Sequence, residues 1–280
     1  RAGRVTGRQL RALGVNFDLA PDMDVNSNPA NPVIGVRSYS DDPARVARMG
    51  TAMMRGLLEE GVLCCAKHFP GHGDTDVDSH LGLPKVDKSL EELERTELVP
   101  FTAAIRAGIP GVMSSHILFP QLEPEGKPAT MSRRIMTDLL RRKLGFEGLV
   151  VSDCMQMQAI QKFYGTVNGV VQAVKAGVDL VFVSHDAALA GQAAEALLEE
   201  LNAGKLDRAE LDASVDRILA CKERYALEPL PLEECGTPEQ MAFVREALDR
   251  SMTVVHSPAG GMPALGAAPR GGGGEVGRSY

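Results

Sequence analysis

Residues 148–154 read GLVVSDC, a short apolar run that ends in a serine and an aspartate. Consecutive large apolar residues, mostly β-branched, are typical of a strand that is buried on both faces of a parallel sheet. Other segments have the same character: VNFDLAP (15–21), GVLCCAKHF (61–69), GVMSSHI (111–117) and DLVFVSH (179–185). Together with 148–154 they predict five buried strands.

Segments with helical periodicity alternate with these strands, and they cover residues 43–61, 89–108, 132–145, 187–203 and 207–226. The first two end in a glycine, which is common just beyond a helix C-terminus, and Ser89 with Glu92 has the spacing of a capping box. Alternating strands and helices imply parallel strands joined by crossover helices. The predicted fold class is therefore α/β.

Polar residues follow each predicted strand directly: Asp22 and Asp24, Lys67 and His68, Ser115 and His116, Ser152 and Asp153, Ser184 and His185. In a (β/α)8 barrel these strand ends meet at one mouth, where the active site lies. No G-x-G-x-x-G follows the first strand and no G-x-x-x-x-G-K-[ST] occurs, which argues against a nucleotide-binding sheet. Because a closed barrel needs eight strands, we predict a TIM-barrel type that is incomplete, with about five βα units.

Composition excludes several classes of protein. The chain has 280 residues and a formal net charge of -7, and its lysines and arginines form no basic run, so we predict no nucleic-acid partner. No apolar stretch approaches the roughly 20 residues that span a bilayer, so we predict no membrane partner. The five irregularly spaced cysteines favour reduced thiols, and no apolar segment of a signal peptide is present. We therefore predict a cytoplasmic protein, and make no prediction of oligomeric state.

The composition also divides the chain into three parts. Residues 1–235 carry the strand–helix alternation and are predicted to be a partial barrel with catalytic function. Residues 236–257 are predicted to be a linker and the start of a truncated second domain. Residues 258–280 are rich in glycine, alanine and proline, and are predicted to be a disordered tail.

The stretch KHFPGHGDTDVDSHLGLP (67–84) holds half of the 6 histidines of the chain. The D-x-D-x-D spacing that begins at Asp74 resembles the start of a calcium loop, but Ser79 replaces its glycine and Lys85 its glutamate. The prolines and glycines prevent a helix that would present histidines at zinc spacing. We therefore predict no metal site and no cofactor.

Acid–base chemistry is the other functional reading of this stretch. Asp78 can orient the imidazole of His80 and support its charged form, and a histidine transfers protons in both directions near neutral pH. Asp153, at the end of a predicted strand, is a candidate carboxylate nucleophile. The alternatives are a loop whose histidines bond to backbone, and a strand-end aspartate that caps the next helix.

These motifs resemble a known family. KHFPGHGDTDVDSHLGLP (67–84) closely resembles the signature of the glycoside hydrolase family 3 β-N-acetylglucosaminidases. VVSDCMQM (150–157) looks like that family's nucleophile motif, and VNFDLAPDMDVNSNPANPVIGVRSYSDDP (15–43) is similar to its preceding βα segment. The resemblance implies retaining hydrolysis of terminal β-linked N-acetylglucosamine from peptidoglycan fragments or chitooligosaccharides, with a carbohydrate as the partner molecule.

The resemblance also implies roles for individual residues. Asp153 would attack the anomeric carbon, and His80 would protonate the leaving oxygen and then activate water, assisted by Asp78. The sugar would be bound by Arg37, Lys67 and His68. His72 is expected to be structural, and His116 and Met155 are expected to line the pocket.

The chain departs from the family pattern at its start. Family members carry about three strands before the point where this chain begins, one of them ending in a D-Q-E-G-G-like motif that is absent here. The sequence therefore predicts a fragment of such an enzyme. Alternative hypotheses are an inactive or sugar-binding remnant, a phosphorylase of the same family, and a metal-dependent hydrolase.

Overall fold

The structure is a computed structural model that describes residues 1–75 and 83–252. The chain divides into two compact units, Arg1–Cys235 and Gly236–Tyr280. The first unit contains the sheet, its helices and the candidate site. The described part of the second unit is dominated by one helix, whose bounds are given below. The predicted tail, 258–280, and residues 253–257 of the predicted start of a second domain lie outside the described residues.

Parallel strands form the centre of the first unit. They lie in the order β1 (Phe17–Asp18), β2 (Leu63–Phe69), β3 (Gly111–Ser114) and β4 (Leu149–Val151). A parallel bridge between Val151 and Leu180 extends the sheet toward the fifth predicted strand. Beyond this bridge, the Phe182 N–H donates to the Ser152 hydroxyl (2.9 Å) and not to a strand carbonyl.

The first unit also contains the helices α1 (Ala2–Ala12), α2 (Pro43–Glu59), α3 (Leu90–Arg95), α4 (Leu98–Arg106), α5 (Gln158–Gln161), α6 (Thr166–Ala176), α7 (Ala187–Asn202) and α8 (Arg208–Arg224). The second unit contains α9 (Pro238–Ser251). A π-helix, Arg134–Lys143, occupies the segment predicted as helical between β3 and β4. Short 3₁₀ turns cover Gly35–Arg37, Ala129–Met131 and Leu232–Glu234. The α/β prediction is confirmed, and the described sheet is open, as expected of an incomplete barrel type.

The prediction of one helix over 89–108 is wrong, because the segment forms α3 and α4 with a break at Thr96. Pro100 has no N–H to donate to the Thr96 carbonyl, so it fits only in the first turn of a new helix. At the break between the two helices, the Thr96 hydroxyl donates to the Glu92 carbonyl (2.9 Å). The predicted capping box between Ser89 and Glu92 is confirmed.

Alternate strand residues face two separate apolar clusters. On the helix side, Cys64, Ala66, Val112 and Val150 belong to the main core together with residues of the surrounding helices. On the opposite side, which faces inward in a barrel, the cluster is formed by Cys65, Met113, Leu149 and Val151 with Phe17, Leu180, Ile218 and others. In a closed barrel this face is filled by strand residues alone. Here Ile218 and Cys221 of α8 also pack against it.

The first helix was not predicted from the sequence. Helix α1 packs on α2 at a glycine contact, because a Cβ on Gly3 would lie 2.2 Å from the Met53 carbonyl oxygen. Only a residue without a side chain permits this approach. None of the helices in residues 1–75 and 83–252 combines the length and apolar character needed to cross a membrane.

Candidate active site

The carboxyl ends of the strands bring together most of the residues that the sequence singled out. Asp22 forms a parallel bridge with Lys67, and the Met23 N–H donates to the Lys67 carbonyl (2.6 Å). His116 follows β3, and Asp153 lies two residues beyond the end of β4. The predicted convergence of polar residues at one edge is therefore found in the structure.

Asp24 is the centre of this edge, with a fully buried side chain. It accepts hydrogen bonds from the ring Nδ1 of His68 (2.7 Å) and from the backbone N–H of His72 (2.6 Å). The backbone N–H of His68 lies 3.3 Å from both carboxylate oxygens. Burial raises the pKa of Asp24, and the interactions with both histidines oppose that rise. Asp24 thus ties the loop after β1 to the strand end of β2.

His68 holds a defined tautomer through this network. The guanidinium Nη2 of Arg37 lies 3.4 Å from His68 Nε2, and because a guanidinium can only donate, Nε2 must accept. The ring proton therefore sits on Nδ1 and points to Asp24. Burial lowers the pKa of His68 to about 4, although the carboxylates of Asp22 and Asp153 act in the opposite sense. His68 is neutral at neutral pH and serves as a hydrogen-bonding group.

Asp22 is a buried carboxyl next to the exposed end of this network. Its Oδ1 accepts from the Asp24 N–H (3.0 Å), and its Oδ2 lies 3.6 Å from Arg37 Nη2. Burial, with the neighbouring Asp24 carboxylate, raises the pKa of Asp22 to about 7. Arg37 itself is 42% exposed, on the 3₁₀ turn Gly35–Arg37. Arg37 thus presents a cation to solvent beside a neutral histidine and a carboxyl group that titrates near neutral pH.

Lys67 and Asp153 complete the described part of the edge. The Lys67 side chain is half-buried, and within residues 1–75 and 83–252 the structure pairs it with no carboxylate. Asp153 is half-buried, and its Oδ1 accepts from the N–H of Cys154 (2.7 Å). Its charge raises the pKa of both His68 and His116 against the larger lowering by burial, so it shares their electrostatic environment. A half-buried amine and a half-buried carboxylate therefore both lie near His68.

Asp78 and His80 lie outside the described residues, and the structure does not test their positions. The residues that precede them are tightly held. A Cβ on Gly73 would lie 1.7 Å from the Val25 carbonyl oxygen, so only glycine fits there. The ring Nδ1 of His72 lies 2.9 Å from the Thr75 hydroxyl, and its backbone N–H bonds to Asp24. These contacts are those of a residue that shapes the loop, as expected for His72.

The expectation that Met155 lines the pocket is wrong. Its side chain is 0% exposed and belongs to the main core, where it lies against Gly169 and thus faces away from the strand ends. His116 is 4% exposed, and both of its ring nitrogens are within hydrogen-bonding distance of protein atoms. It therefore does not line an open pocket.

One group of described residues has the composition of a metal site, namely Asp22, Asp24 and His68, whose potential ligand atoms lie within 4.8 Å of one another. However, Asp24 and His68 are already bonded to each other, and Arg37 supplies a positive charge at Asp22. The protein's own cation therefore takes the place that a metal ion would fill. The absence of a metal and of a cofactor stays a prediction.

Comparison with known proteins identifies the family. The profile of the glycosyl hydrolase family 3 N-terminal domain matches residues 1–221. The chain belongs to glycoside hydrolase family 3. Beta-hexosaminidase A of Pseudoalteromonas piscicida is 40% identical over 235 residues, which cover 78% of this chain and 39% of that protein. The family resemblance read from the motifs is therefore confirmed.

Solved structures of family 3 proteins agree with the fold. A β-N-acetylglucosaminidase from Paenibacillus sp. str. FPU-7 has a TM-score of 0.85 and 46% identity, over 89% of this chain and 49% of that one. A beta-glucoside phosphorylase, BglX, has a TM-score of 0.82 and 30% identity, over 88% of this chain and 47% of that one. The chain thus spans about half or less of the length of these relatives.

Two residues of this family 3 site were not selected as site residues from the sequence. Asp22 and Asp24 were recognised only as polar residues at a strand end, although Asp24 organises His68 and His72. The signal was present, because two acidic residues beside a buried strand need partners. The sequence does not show that the partners are histidines more than 40 positions away.

Proposed function

We propose that this family 3 protein hydrolyses terminal β-linked N-acetylglucosaminides with retention of configuration. The observation that carries the proposal is the set of sugar-binding and nucleophilic groups at one edge of the sheet. Asp153 presents a carboxylate with one oxygen held by the Cys154 N–H, beside Lys67, the neutral His68 and the exposed Arg37. Relatives named beta-hexosaminidase and β-N-acetylglucosaminidase support the substrate class.

The proposed reaction has two displacements. Asp153 Oδ2 attacks the anomeric carbon while His80 protonates the leaving oxygen, giving a covalent glycosyl-enzyme. His80 then removes a proton from water, which attacks the same carbon and releases the sugar with its original configuration. Asp78 orients His80. A histidine in place of the usual second carboxylate lowers the charge repulsion with Asp153 in the free enzyme.

The binding groups follow from the described contacts. Lys67 and Arg37 donate to sugar hydroxyls, and both can do so without losing a strong protein partner. His68 Nε2 is a lone-pair acceptor, since its proton is held on Nδ1 by Asp24. This edge therefore offers a sugar both donors and an acceptor, as hydroxyl recognition requires. Peptidoglycan fragments and chitooligosaccharides are the substrates that we propose.

The test is release of nitrophenol from 4-nitrophenyl N-acetyl-β-D-glucosaminide by the chain and by Asp153→Asn. We expect Asp153→Asn to lower kcat/KM by on the order of 10³-fold or more, because the amide cannot form the glycosyl-enzyme. Asp41→Asn is the matched control, because it changes an exposed carboxylate in the same loop as Arg37. It should retain activity. Unchanged turnover by Asp153→Asn, or absence of turnover by the chain, would overturn the proposal.

Phosphate is the second candidate acceptor, and the similarity to a beta-glucoside phosphorylase is the observation that favours it. We rank water first, because the relatives named as hydrolases share 40% and 46% identity and the phosphorylase 30%. Phosphorus NMR of the reaction in phosphate buffer decides between them. A new phosphorus signal from N-acetylglucosamine 1-phosphate supports phosphorolysis, and release of nitrophenol without that signal supports hydrolysis.

A further inference from the structure

His116 is a buried histidine that the proposed reaction does not use. It follows β3, and it is 4% exposed. Its Nδ1 lies 2.9 Å from the Thr130 hydroxyl, and its Nε2 lies 3.0 Å from the Cys154 carbonyl oxygen. It therefore connects the end of β3 to the turn that carries Asp153.

The hydrogen bonds assign the protons of this histidine. A carbonyl oxygen can only accept, so Nε2 carries the proton that points to Cys154. Burial lowers the pKa of His116, which favours the neutral ring. The Thr130 hydroxyl, which lies 2.9 Å from Nδ1, also lies 2.8 Å from the Ser115 carbonyl oxygen, so these two acceptors share its one proton, and its oxygen lies 2.8 Å from the Ser114 hydroxyl. The result is a chain of contacts from Ser114 through Thr130 and His116 to the Cys154 carbonyl, in which the donation from Nε2 to Cys154 has a fixed direction.

This chain ends next to the proposed nucleophile. The N–H of Cys154 donates to Asp153 Oδ1 (2.7 Å), while the carbonyl of the same residue accepts from His116. Both sides of Cys154 are thus held, and its N–H is oriented toward the carboxylate. In the described residues the structure gives Asp153 Oδ2 no hydrogen-bond donor, so Oδ2 is the oxygen left for attack.

The other side of the turn is held by backbone contacts. The Ser152 N–H donates to the Leu180 carbonyl (2.9 Å), and the Met155 N–H donates to the Phe182 carbonyl (2.8 Å). The turn is therefore attached to the fifth segment, 179–185, through main-chain hydrogen bonds. On the side of β3, beyond the last paired residues Met113 and Val151, His116 supplies the described connection.

We propose that His116 is a positioning residue, which by holding the backbone of Cys154 aims Oδ2 of Asp153 at the anomeric carbon. The inference rests on the proposed role of Asp153 as nucleophile. A positional error of about 1 Å in a reacting group is enough to cost on the order of 10²-fold in rate. His116 contacts no reacting atom, so its removal should change kcat and leave KM nearly unchanged.

The test compares His116→Gln with His116→Asn. The Gln amide nitrogen can reach the position of Nε2 and still donate to Cys154, whereas the Asn amide reaches only the position of Nδ1. With 4-nitrophenyl N-acetyl-β-D-glucosaminide we expect His116→Asn to lower kcat by about 30-fold or more, with KM within about 3-fold. His116→Gln should lie within about 5-fold of the parent chain in both constants. Equal losses in the two variants would overturn the proposal and leave His116 as a core residue.

A second readout does not depend on turnover. We expect the Cys154 amide to exchange with solvent about 10-fold faster or more in His116→Asn, and at the parent rate in His116→Gln. Nitrogen NMR of the parent chain should show the neutral Nε2–H tautomer for His116. If the parent chain has no activity but the Cys154 amide responds in this way, the proposed function fails and the positioning contact stands. An Nδ1–H tautomer, or an amide that is insensitive to both variants, would refute the positioning role itself.

Discussion

The two ends of the sheet each bury carboxylates, but they neutralise them in different ways. At the amino ends of the strands, Asp179 is fully buried and accepts from Arg141, Arg217, Ser214 and the backbone N–H of Val150. At the carboxyl ends, Asp24 and Asp22 have the neutral His68 and the partly exposed Arg37. Asp179 has complete hydrogen bonding and full charge compensation, whereas Asp22 and Asp24 do not.

This difference separates a structural cluster from the candidate functional site. Two buried or half-buried arginines bonded to one aspartate cross-link β4, α8 and the π-helix, and they leave no group free for a ligand. The pair at the other end retains an unbonded carboxylate oxygen and a pKa raised to about 7 on Asp22. Perturbed carboxyl groups with spare bonding capacity are typical of functional sites. The barrel rule, which places stability at the amino ends and chemistry at the carboxyl ends, agrees.

A cavity of about 590 Å³ at the amino-end cluster does not alter this assignment. Each lysine and arginine of its lining is already paired with a carboxylate. Arg141 and Arg217 bond Asp179, Arg133 bonds Glu210, and Lys175 and Lys205 both pair with Glu200. A cavity whose charged groups are already paired offers little specific recognition of a ligand.

The largest expected effect on stability follows from substitution of Asp179. We expect Asp179→Ala to lower the free energy of unfolding by about 3–5 kcal/mol, because two arginines lose their shared partner. Urea unfolding measures it. Asp138→Ala, which removes a surface i,i+4 pair with Arg142, is the control and should cost less than about 0.5 kcal/mol. If both substitutions cost the same, the amino-end cluster is not a structural cross-link.

A pH dependence is the next largest effect. Asp22 ionises with a pKa of 3.8 in the unfolded chain and about 7 in the folded one, so the folded state binds more protons over this range and stability falls as pH rises. His68, with a pKa of 6.5 unfolded and about 4 folded, acts oppositely, and stability rises with pH. In the parent chain the two contributions largely cancel.

Asp22→Asn removes the contribution of Asp22 to the pH dependence of stability and leaves that of His68. We expect the stability of Asp22→Asn relative to the parent to increase by on the order of 3 kcal/mol between about pH 4 and pH 7. Urea unfolding at several pH values checks this. Asp41→Asn, at an exposed position, should show no such trend. A pH-independent difference for Asp22→Asn would mean that its carboxyl group titrates normally.

The smallest effect compares one arginine from each end. Arg217→Ala removes a guanidinium from the buried Asp179 and should cost about 2 kcal/mol of stability. Arg37→Ala removes a partly exposed cation and should cost less than about 1 kcal/mol. In sugar binding the order should reverse, with Arg37→Ala weakening binding and Arg217→Ala leaving it unchanged. Calorimetry with N-acetylglucosamine measures the binding. If Arg217→Ala had the larger effect on both stability and binding, the contrast between the two ends would be refuted.

The carboxyl-end site was more predictable from the sequence than the amino-end cluster. A short apolar run followed by Ser152 and Asp153 predicts both a buried strand and the edge at which its last residues lie, since parallel strands end on the same side. Asp179 stands before an apolar run in the same way, yet its partners Arg141 and Arg217 are 38 residues away on either side. Local pattern contains no information on which distant arginines reach a given carboxylate.

The details that the sequence missed have similar causes. The break at Thr96 depends on Pro100 within a segment whose apolar periodicity continues through it. The core position of Met155 depends on the turn after Asp153, which directs its side chain toward α6 rather than the strand ends. In both cases something that apolar periodicity does not contain overrides a local preference: a proline at the first position and tertiary packing at the second.

The turn that presents Arg37 has one more useful property. Val36, immediately beside Arg37, is 104% exposed, so its side chain has no packing role. The chain contains no tryptophan. An indole introduced by Val36→Trp would therefore be the sole source of tryptophan fluorescence, a few ångströms from the group that we expect to hold the sugar. The protein has no tryptophan emission of its own, and one surface substitution turns occupancy of its site into a direct emission signal.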